Sequence, residues 1–299
     1  MRFTASATLF FLSGLFTAHA SPVTRETITA LSAQQVDAFT PFTHYAAAGY
    51  CAPNVTMAWD CGISCNALPG FKTVGAGGNG DTVQYWYVGY DPALQTVIVS
   101  HQGTVPAHIQ SLITDLRFFL RHLDPTIFPG LPSDIEVHTG FADEHAKTAA
   151  DVLAAVKTAL SESGFTKVTI AGHSLGAALG LLESVYLPLH IPNVTFQSVL
   201  YGLPRFVGNS AFAHYASQGD TITHINNMED FVPVLPPRFV GYQHPTGEIH
   251  IQDTGEWHPC SGYDNTSDLC STGDLKILIE FNVNNHLGPY NGITMGCQH

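Results

Sequence analysis

Apolar residues along the chain follow two alternating periods, one typical of strands and one typical of helices. Short β-branched or aromatic runs predict strands over residues 82–90, 96–100, 167–171, 194–201 and 221–225. Apolar residues at helical spacing predict helices over residues 24–49, 108–123, 141–163, 175–187 and 209–219. Residues 51–81 are rich in glycine, proline, asparagine and cysteine, and this composition predicts a loop.

The alternation of strands and helices also predicts the architecture. It is typical of a mostly parallel central sheet covered by helices on both faces. No linker, internal repeat or shift in composition divides the chain. We therefore predict a single α/β domain over residues 21–299.

The first 20 residues have the pattern of a secretory signal peptide. Arg2 gives the n-region a positive charge, and the mostly apolar residues 9–16 form the h-region. Ala18 and Ala20 are the small residues that precede a cleavage site. The apolar run is too short to span a bilayer, which takes about 20 apolar residues. We predict cleavage after Ala20, an extracellular protein and no integral membrane segment. An uncleaved signal anchor is the alternative.

The charge balance excludes one class of partner. The chain has 24 acidic and 11 basic residues, and its formal net charge is −13. Because nucleic-acid-binding proteins need basic patches that neutralise phosphate, we exclude nucleic acid as a partner. Hydrophobic residues make up 45% of the chain, which is enough for a large core.

Export makes the six cysteines candidates for disulfides. Six cysteines allow 15 complete pairings, so the sequence leaves the connectivity open. Two pairs would each enclose a short polar segment, and the third would join the start of the domain to its end. These pairs are Cys61–Cys65, Cys260–Cys270 and Cys51–Cys297. A zinc site is the alternative, but the chain has no CxxC pair and we expect no metal.

Three Asn-x-Ser/Thr motifs are candidates for N-glycosylation in an exported chain. They lie at Asn54, Asn193 and Asn265. Such short motifs are weak signals, so we do not expect every one of them to be used.

The strongest chemical signal is the pentapeptide GHSLG at residues 172–176, between a predicted strand and a predicted helix. A serine at such a sharp corner needs small neighbours, and Gly172 and Gly176 supply them. The helix N-terminus directs backbone N–H groups to the place where a tetrahedral oxyanion would form. We predict that Ser174 is a catalytic nucleophile, with a structural turn as the alternative, and that His173 has a structural role.

In this arrangement the acid and the base follow the serine along the chain. Asp230 comes shortly after the predicted strand 221–225, at the end of the strand where α/β sheets place functional groups. His286 lies in a polar loop near the C-terminus and is the favoured base. The alternatives are Glu229, Asp253 and Asp274 for the acid, and His244, His250, His258 and His299 for the base.

The oxyanion needs a second donor besides the backbone N–H of Leu175. The predicted strand 96–100 leads into Gly103 and Thr104, a glycine for close approach and a hydroxyl as a donor. Thr104 is the candidate, and an ordinary turn threonine is the alternative.

With these pieces in order, the chain resembles the fungal secreted class 3 lipases, which have the α/β-hydrolase fold. The resemblance extends over about residues 45–297. Its segments are HQGT at 101–104, VHTGF at 137–141, GHSLGAA at 172–178, YGLPR at 201–205, DFVP at 230–233 and the region of His286. The resemblance implies hydrolysis of triacylglycerol or related carboxylic esters by a triad of Ser174, Asp230 and His286. It also implies an oxyanion hole at Thr104 and Leu175, and a disulfide between Cys51 and Cys297.

The chain departs from the family's pattern at two positions and matches it in a lid. The family commonly has arginine before Gly-Thr and aspartate before the base, where this chain has Gln102 and Asn285. Residues 105–113 resemble the family's lid, and their apolar residues could share one helical face. A plain surface helix is the alternative.

We predict a two-step acyl transfer without a cofactor, in which His286 takes the proton of Ser174 and Asp230 orients the imidazolium. The expected function is that of a secreted triacylglycerol lipase, a carboxylic ester hydrolase. The alternatives are a feruloyl or other aromatic-ester esterase on the same fold and a noncatalytic lipid- or glycan-binding relative. We expect a monomer that meets its lipid or ester substrate at an oil–water interface.

Overall fold

The computed structural model of the protein describes residues 28–109, 119–274 and 283–298. The predicted signal peptide, residues 110–113 of the predicted lid and the terminal His299 lie outside this part of the chain. Within those three ranges, no helix is both long enough and apolar enough to cross a membrane.

An eight-stranded sheet forms the centre of the fold. The described residues form ten strands, eight in this sheet and two in a separate ribbon: β1 (Lys72–Gly77), β2 (Trp86–Asp91), β3 (Thr96–His101), β4 (Leu120–His122), β5 (Glu136–His138), β6 (Lys167–His173), β7 (Thr195–Tyr201), β8 (Ile222–Asn227), β9 (Glu248–Ile251) and β10 (Trp257–Cys260). The sheet has the order β1-β2-β3-β6-β7-β8-β9-β10, and β4 and β5 form a separate antiparallel ribbon. The neighbours from β3 to β9 are parallel, and both edges are antiparallel. The prediction of a mostly parallel central sheet is confirmed.

Helices cover both faces of this sheet. They are α1 (Ala33–Asp37), α2 (Thr40–Ala48), α3 (Pro53–Ala58), α4 (Ile63–Ala67), α5 (Thr139–Ser163), α6 (Leu175–His190), α7 (Ser210–Ala216), α8 (Ser271–Asp274) and α9 (Val283–Leu287). Side chains of a strand alternate between the faces, so Val97 and Val99 pack in one core with Val152 of α5. Ile98, between them, packs in the opposite core with Tyr45 of α2.

The two long helices, α5 and α6, differ in which faces are buried and in how they end. α5 buries Val152 and Val156, one helical turn apart, and ends at Gly164 in the left-handed conformation with φ 72°. α6 is buried on most sides and continues through Pro188, so the prediction that it ends at residue 187 is wrong. Leu187 and Leu189 pack on the core there, which offsets the hydrogen bond that proline cannot donate.

The prediction of a loop over residues 51–81 is wrong, because α3, α4 and β1 lie within it. The glycines of β1 suggest a turn by composition, but they have a packing role in the strand. A Cβ atom on Gly77 would lie 2.7 Å from Nε1 of Trp86, on the neighbouring strand β2. Gly77 therefore allows the Trp86 ring to lie flat against the edge strand.

Other differences from the predicted elements arise at the periphery. In the described part of the predicted helix 24–49, two separate helices form, α1 and α2. Residues 110–118 of the predicted helix 108–123 lie outside the described residues, and residues 120–122 form a strand. The strands β9 and β10 are not predicted, because polar residues interrupt their apolar pattern. Glu248 and His250 of β9 are nevertheless buried, since they bond to the backbone of Ser271 and Met228, respectively.

All six cysteines are bonded, in the pairs Cys51–Cys297, Cys61–Cys65 and Cys260–Cys270. These are the pairs that the sequence favours. The first pair joins residues 246 positions apart and attaches the C-terminal segment, which follows α9, to the end of α2. A disulfide stabilises a fold by about 2–4 kcal/mol, mainly because it restricts the unfolded chain.

Candidate active site

Ser174 occupies the sharp corner between β6 and α6. Its backbone has φ 58° and ψ −124°, a conformation that residues other than glycine rarely adopt. The corner is held by the Ser174 backbone N–H, which donates to the Tyr201 carbonyl oxygen on β7 at 3.0 Å. Cβ atoms added to Gly172 and Gly176 would lie 2.4 Å from the Gly176 oxygen and 2.2 Å from the His101 oxygen, respectively. The corner therefore needs both glycines that the motif contains.

Asp230 and His286 form a buried pair close to this edge of the sheet. Asp230 lies in the loop after β8, and its Oδ2 atom is 2.7 Å from Nδ1 of His286 on α9. The Val232 backbone N–H donates to the other carboxylate oxygen, Oδ1, at 2.9 Å. Because the carboxylate accepts from Nδ1, the pair places the imidazole proton there and leaves Nε2 free to accept one. Nε2 is buried and has no hydrogen-bond partner among the described residues.

The backbone of His286 is fixed by the side chain of His173, from a distant part of the chain, and by that of the nearby Tyr290. His173 Nε2 lies 2.7 Å from the His286 carbonyl oxygen, and the Tyr290 hydroxyl donates to the same oxygen at 3.2 Å. The Tyr50 hydroxyl lies 2.6 Å from His173 Nδ1. Burial lowers the pKa of His173 well below its usual value, and the neighbouring His286 lowers it further. His173 is therefore neutral, accepts from Tyr50 and donates to His286.

Two of the residues that hold His173 and His286 in place, Tyr50 and Tyr290, are not predicted from the sequence. No local motif marks them, since Tyr50 only precedes a cysteine and Tyr290 lies in a polar turn. Asn285, where the family commonly has aspartate, contributes its carbonyl oxygen, which accepts from Nδ2 of Asn227 at 2.9 Å.

Thr104 lies in the loop after β3, next to the serine corner. A Cβ atom on the preceding Gly103 would lie 2.5 Å from the His173 oxygen, so the two backbones are in close contact. The Thr104 hydroxyl oxygen is buried and lacks a hydrogen-bond partner in the described part of the chain. Leu175 is the first residue of α6, where backbone N–H groups have no partner within the helix.

Gln102 anchors this loop at the position where the family commonly has arginine. Its Oε1 atom accepts from the Tyr85 backbone N–H at 2.9 Å, and its own backbone N–H donates to the Tyr85 oxygen at 2.8 Å. One neutral hydrogen bond to the amide side chain and one between the two backbones thus fix the loop to the residue before β2.

The reacting residues are buried in this structure. Ser174 is 2% exposed and His286 is fully buried. Ile109, in the segment that follows Thr104, is also fully buried and packs with Phe231, Val232 and Val234 beside Asp230.

A serine on a strand–turn–helix corner, beside an Asp–His pair at the carboxyl edge of a parallel sheet, defines the class of α/β-hydrolases. Residues 98–240 match the family described as lipase (class 3). The chain belongs to this family.

Two relatives from Malassezia globosa support this assignment. The secreted mono- and diacylglycerol lipase MDL3 is 31% identical over 259 residues, which cover 85% of this chain and 81% of the relative. MDL2, with the same description, is 36% identical over 200 residues, or 65% of this chain. That match spans 63% of the length of MDL2.

A solved triacylglycerol lipase, whose catalytic centre is described as a serine protease triad, has the same fold. It superposes with a TM-score of 0.76 at 28% identity and covers 90% of this chain and 98% of its own. The protein is thus a secreted lipase, a carboxylic ester hydrolase. This confirms the predicted function and fold, whereas the aromatic-ester esterase and the noncatalytic relative are not favoured.

Proposed function

We propose that the protein hydrolyses acylglycerol esters with Ser174 as nucleophile, His286 as base and Asp230 as its orienting acid. The observation that carries this proposal is the buried Asp230–His286 pair, which leaves Nε2 of the imidazole without a partner. Such an imidazole can accept the proton of a serine hydroxyl. The relatives named as acylglycerol lipases support the substrate class.

The reaction has two steps of the same kind. The Ser174 oxygen attacks the ester carbonyl carbon, and its proton passes to Nε2 of His286. The backbone N–H of Leu175 and the hydroxyl of Thr104 donate to the oxyanion. When the tetrahedral intermediate collapses, His286 returns the proton to the glycerol oxygen, and the acyl group stays on Ser174. Water then attacks the acyl-enzyme in the same way and releases the fatty acid.

The substrate class is tested by comparing initial rates on mono-, di- and triacylglycerol of one chain length with the rate on methyl ferulate. We expect hydrolysis of the acylglycerols and little turnover of the aromatic ester. Faster turnover of methyl ferulate than of all three acylglycerols would contradict the proposal.

Thr104→Ala should lower kcat by about 10²–10³-fold with little change in KM, because one oxyanion donor has a role mainly in the transition state. Thr104→Ser keeps a hydroxyl at the same atom and should retain most of the activity. The measurement is steady-state kinetics on a soluble short-chain ester. A Thr104→Ala variant with the parent's kcat would remove Thr104 from the oxyanion hole.

We further propose that the enzyme acts at the lipid–water interface and does so as a monomer. Two large apolar side chains are prominent at the surface, Phe239 at 88% exposure and Phe119 at 64%. Phe119 directly precedes β4, which pairs with β5. A backbone bridge joins β5 to Gly208, and a second bridge joins the adjacent Asn209 to Tyr242, shortly after Phe239. These pairings connect the two segments through β5 and residues 208–209, and both exposed side chains could enter a lipid surface.

Phe239→Ser should lower activity on an emulsified triacylglycerol about tenfold and leave the rate on a dissolved short-chain ester unchanged. The reason is that burial of a phenylalanine side chain stabilises an apolar contact by about 1.5–3 kcal/mol. Met57→Ser is the matched control. Met57 is 48% exposed on α3, which packs against the edge strand β1 and not on the segment that carries Phe239. Equal losses in the two variants, or equal losses on both substrates, would contradict interfacial contact through Phe239.

We also propose Asn193 as the site of N-glycosylation. It is exposed in the turn between α6 and β7, with φ 62°. Asn265 is less suited, because its amide nitrogen donates to the Ser261 oxygen at 3.0 Å. Asn54 lies within α3, and the Thr56 hydroxyl of its motif is turned back to the helix backbone.

A further inference from the structure

One buried carboxylate has no part in the reaction described above. Glu183 lies on α6, the helix that begins directly after Ser174, and its side chain is completely buried. Its Oε1 atom is 3.3 Å from Nε2 of His101 and 3.4 Å from Nε2 of His145. Both rings are also buried. A buried carboxylate is costly unless positive charge compensates it, so this arrangement needs an explanation.

The histidines keep this carboxylate ionised. Burial acts to raise the pKa of Glu183, but His145 and then His101 oppose it and lower the pKa to about 2. The rings of Phe128 and Tyr186 pack on His145, and burial together with Glu183 raises the pKa of Tyr186. Tyr186 is therefore neutral beside Glu183.

Two other titratable groups in this region, Glu144 on α5 and His190 on α6, are engaged elsewhere. Glu144 accepts from the Gln84 backbone N–H at 2.8 Å and is paired with Lys147. His190, beside Tyr186, lies within hydrogen-bond distance of the Ile127 oxygen. None of these contacts competes with the imidazoles for Glu183.

His101 connects this cluster to the loop that carries Thr104. It is the last residue of β3, and Thr104 follows three residues later. Its carbonyl oxygen contacts Gly176, since a Cβ atom there would lie 2.2 Å away. The Glu183–His101 contact thus joins the strand before the oxyanion loop to the helix after the nucleophile.

We propose that Glu183 is a positioning residue, which holds His101 and thereby sets the place of Thr104 relative to Ser174. This inference rests on the proposed function, because it assumes that Thr104 donates to the oxyanion. The Glu183–His101 contact has a mechanical role: it keeps β3 and α6 in place relative to each other, while His145 attaches α5 to the same carboxylate. Loss of the Glu183–His101 contact should therefore lower kcat, and it should do so by displacing Thr104.

Glu183→Gln removes the charge with little change in volume. We expect kcat on a soluble short-chain ester to fall about tenfold and KM to change less than about twofold. The loss of kcat should be smaller than the loss of about 10²–10³-fold that removal of a whole oxyanion donor causes. The decisive measurement is a double-mutant cycle with Thr104→Ala. If Glu183 acts through Thr104, Glu183→Gln should cost little more activity once the threonine hydroxyl is absent.

Glu248→Gln is the matched control, since Glu248 is another buried carboxylate, bonded to the Ser271 backbone N–H on the edge strand β9. It should lower the melting temperature without the loss of kcat. His101→Asn breaks the same link from its other end and leaves Glu183 beside His145, so it repeats the test if Glu183→Gln does not fold. It should show the same loss and the same dependence on Thr104.

Three outcomes would overturn the inference. They are the parent's kcat in Glu183→Gln and His101→Asn, an undiminished loss in the Thr104→Ala background, or an equal loss in Glu248→Gln. A failure of the proposed function is distinguishable, because the parent enzyme itself would then not hydrolyse acylglycerols.

Discussion

Ser174→Ala should abolish ester hydrolysis, with kcat reduced by about 10⁴–10⁶-fold and the fold preserved. The reason is that a triad acts as a unit, so loss of its nucleophile leaves only binding and oxyanion stabilisation. Alanine is a suitable replacement, because its small side chain adds no bulk at the corner where Ser174 has φ 58°. The measurements are turnover of a short-chain ester and covalent labelling by a fluorophosphonate, which should modify the parent and leave the variant unmodified.

Ser184→Ala provides the matched control on the same helix. Its hydroxyl donates to the Leu181 carbonyl oxygen at 2.7 Å and is not directed to the site. This variant should retain the parent's activity and its labelling. Labelling of the Ser174→Ala protein at full stoichiometry, or residual hydrolysis near the parent's rate, would show that another residue is the nucleophile.

Asp230→Asn should lower kcat by about 10⁴-fold, again with little effect on KM. The asparagine can still accept from the Val232 backbone N–H, so the loop after β8 should keep its place. Its amide would present N–H to Nδ1 of His286, where the carboxylate oxygen now accepts at 2.7 Å. The imidazole would then carry its proton on Nε2 and could not take one from Ser174.

Glu229→Gln is the control, because Glu229 is the adjacent acid and is exposed. A normal pH–rate profile is expected for it, whereas Asp230→Asn should be slow at every pH at which the parent works. If Glu229→Gln were the slow variant and Asp230→Asn the active one, the acid of the proposed triad would be wrongly assigned.

The elements predicted well are those whose patterns are local and uninterrupted. α5, β6 and β7 each have a continuous amphipathic or apolar run, and their bounds agree with the prediction within about two residues. β1 is missed because its glycines suggest a turn until the Trp86 ring is seen to need them. The end of α6 is misplaced because packing of Leu187 and Leu189 outweighs the local effect of Pro188.

In the site, too, residues marked by a local motif are predicted and residues that lack such a motif are missed. The Ser174 corner is predicted because its nucleophile, its glycines and the flanking elements are adjacent in the chain. Tyr50 is not predicted, because it reaches His173 only after the chain has folded. Tyr290 is not predicted either, because no local motif marks its hydroxyl as a donor to the nearby His286 carbonyl oxygen. Glu183 has the sequence context of an ordinary helical residue, and its pairing with two buried imidazoles has no local signal.

The sequence alone thus determined the alternation of the central strands and helices, the kind of chemistry and the candidate residues, because periodicity and the serine motif depend on neighbours in the chain. Only the tertiary structure decided which side chains meet. It places Asp230 2.7 Å from His286, 56 positions later, and joins Cys51 to Cys297 across 246 positions. Burial decided the charges as well, since His173 is kept neutral and Glu183 ionised by what surrounds them in the core. Contacts between distant residues and the loss of water around them arise only on folding, so no local pattern encodes them.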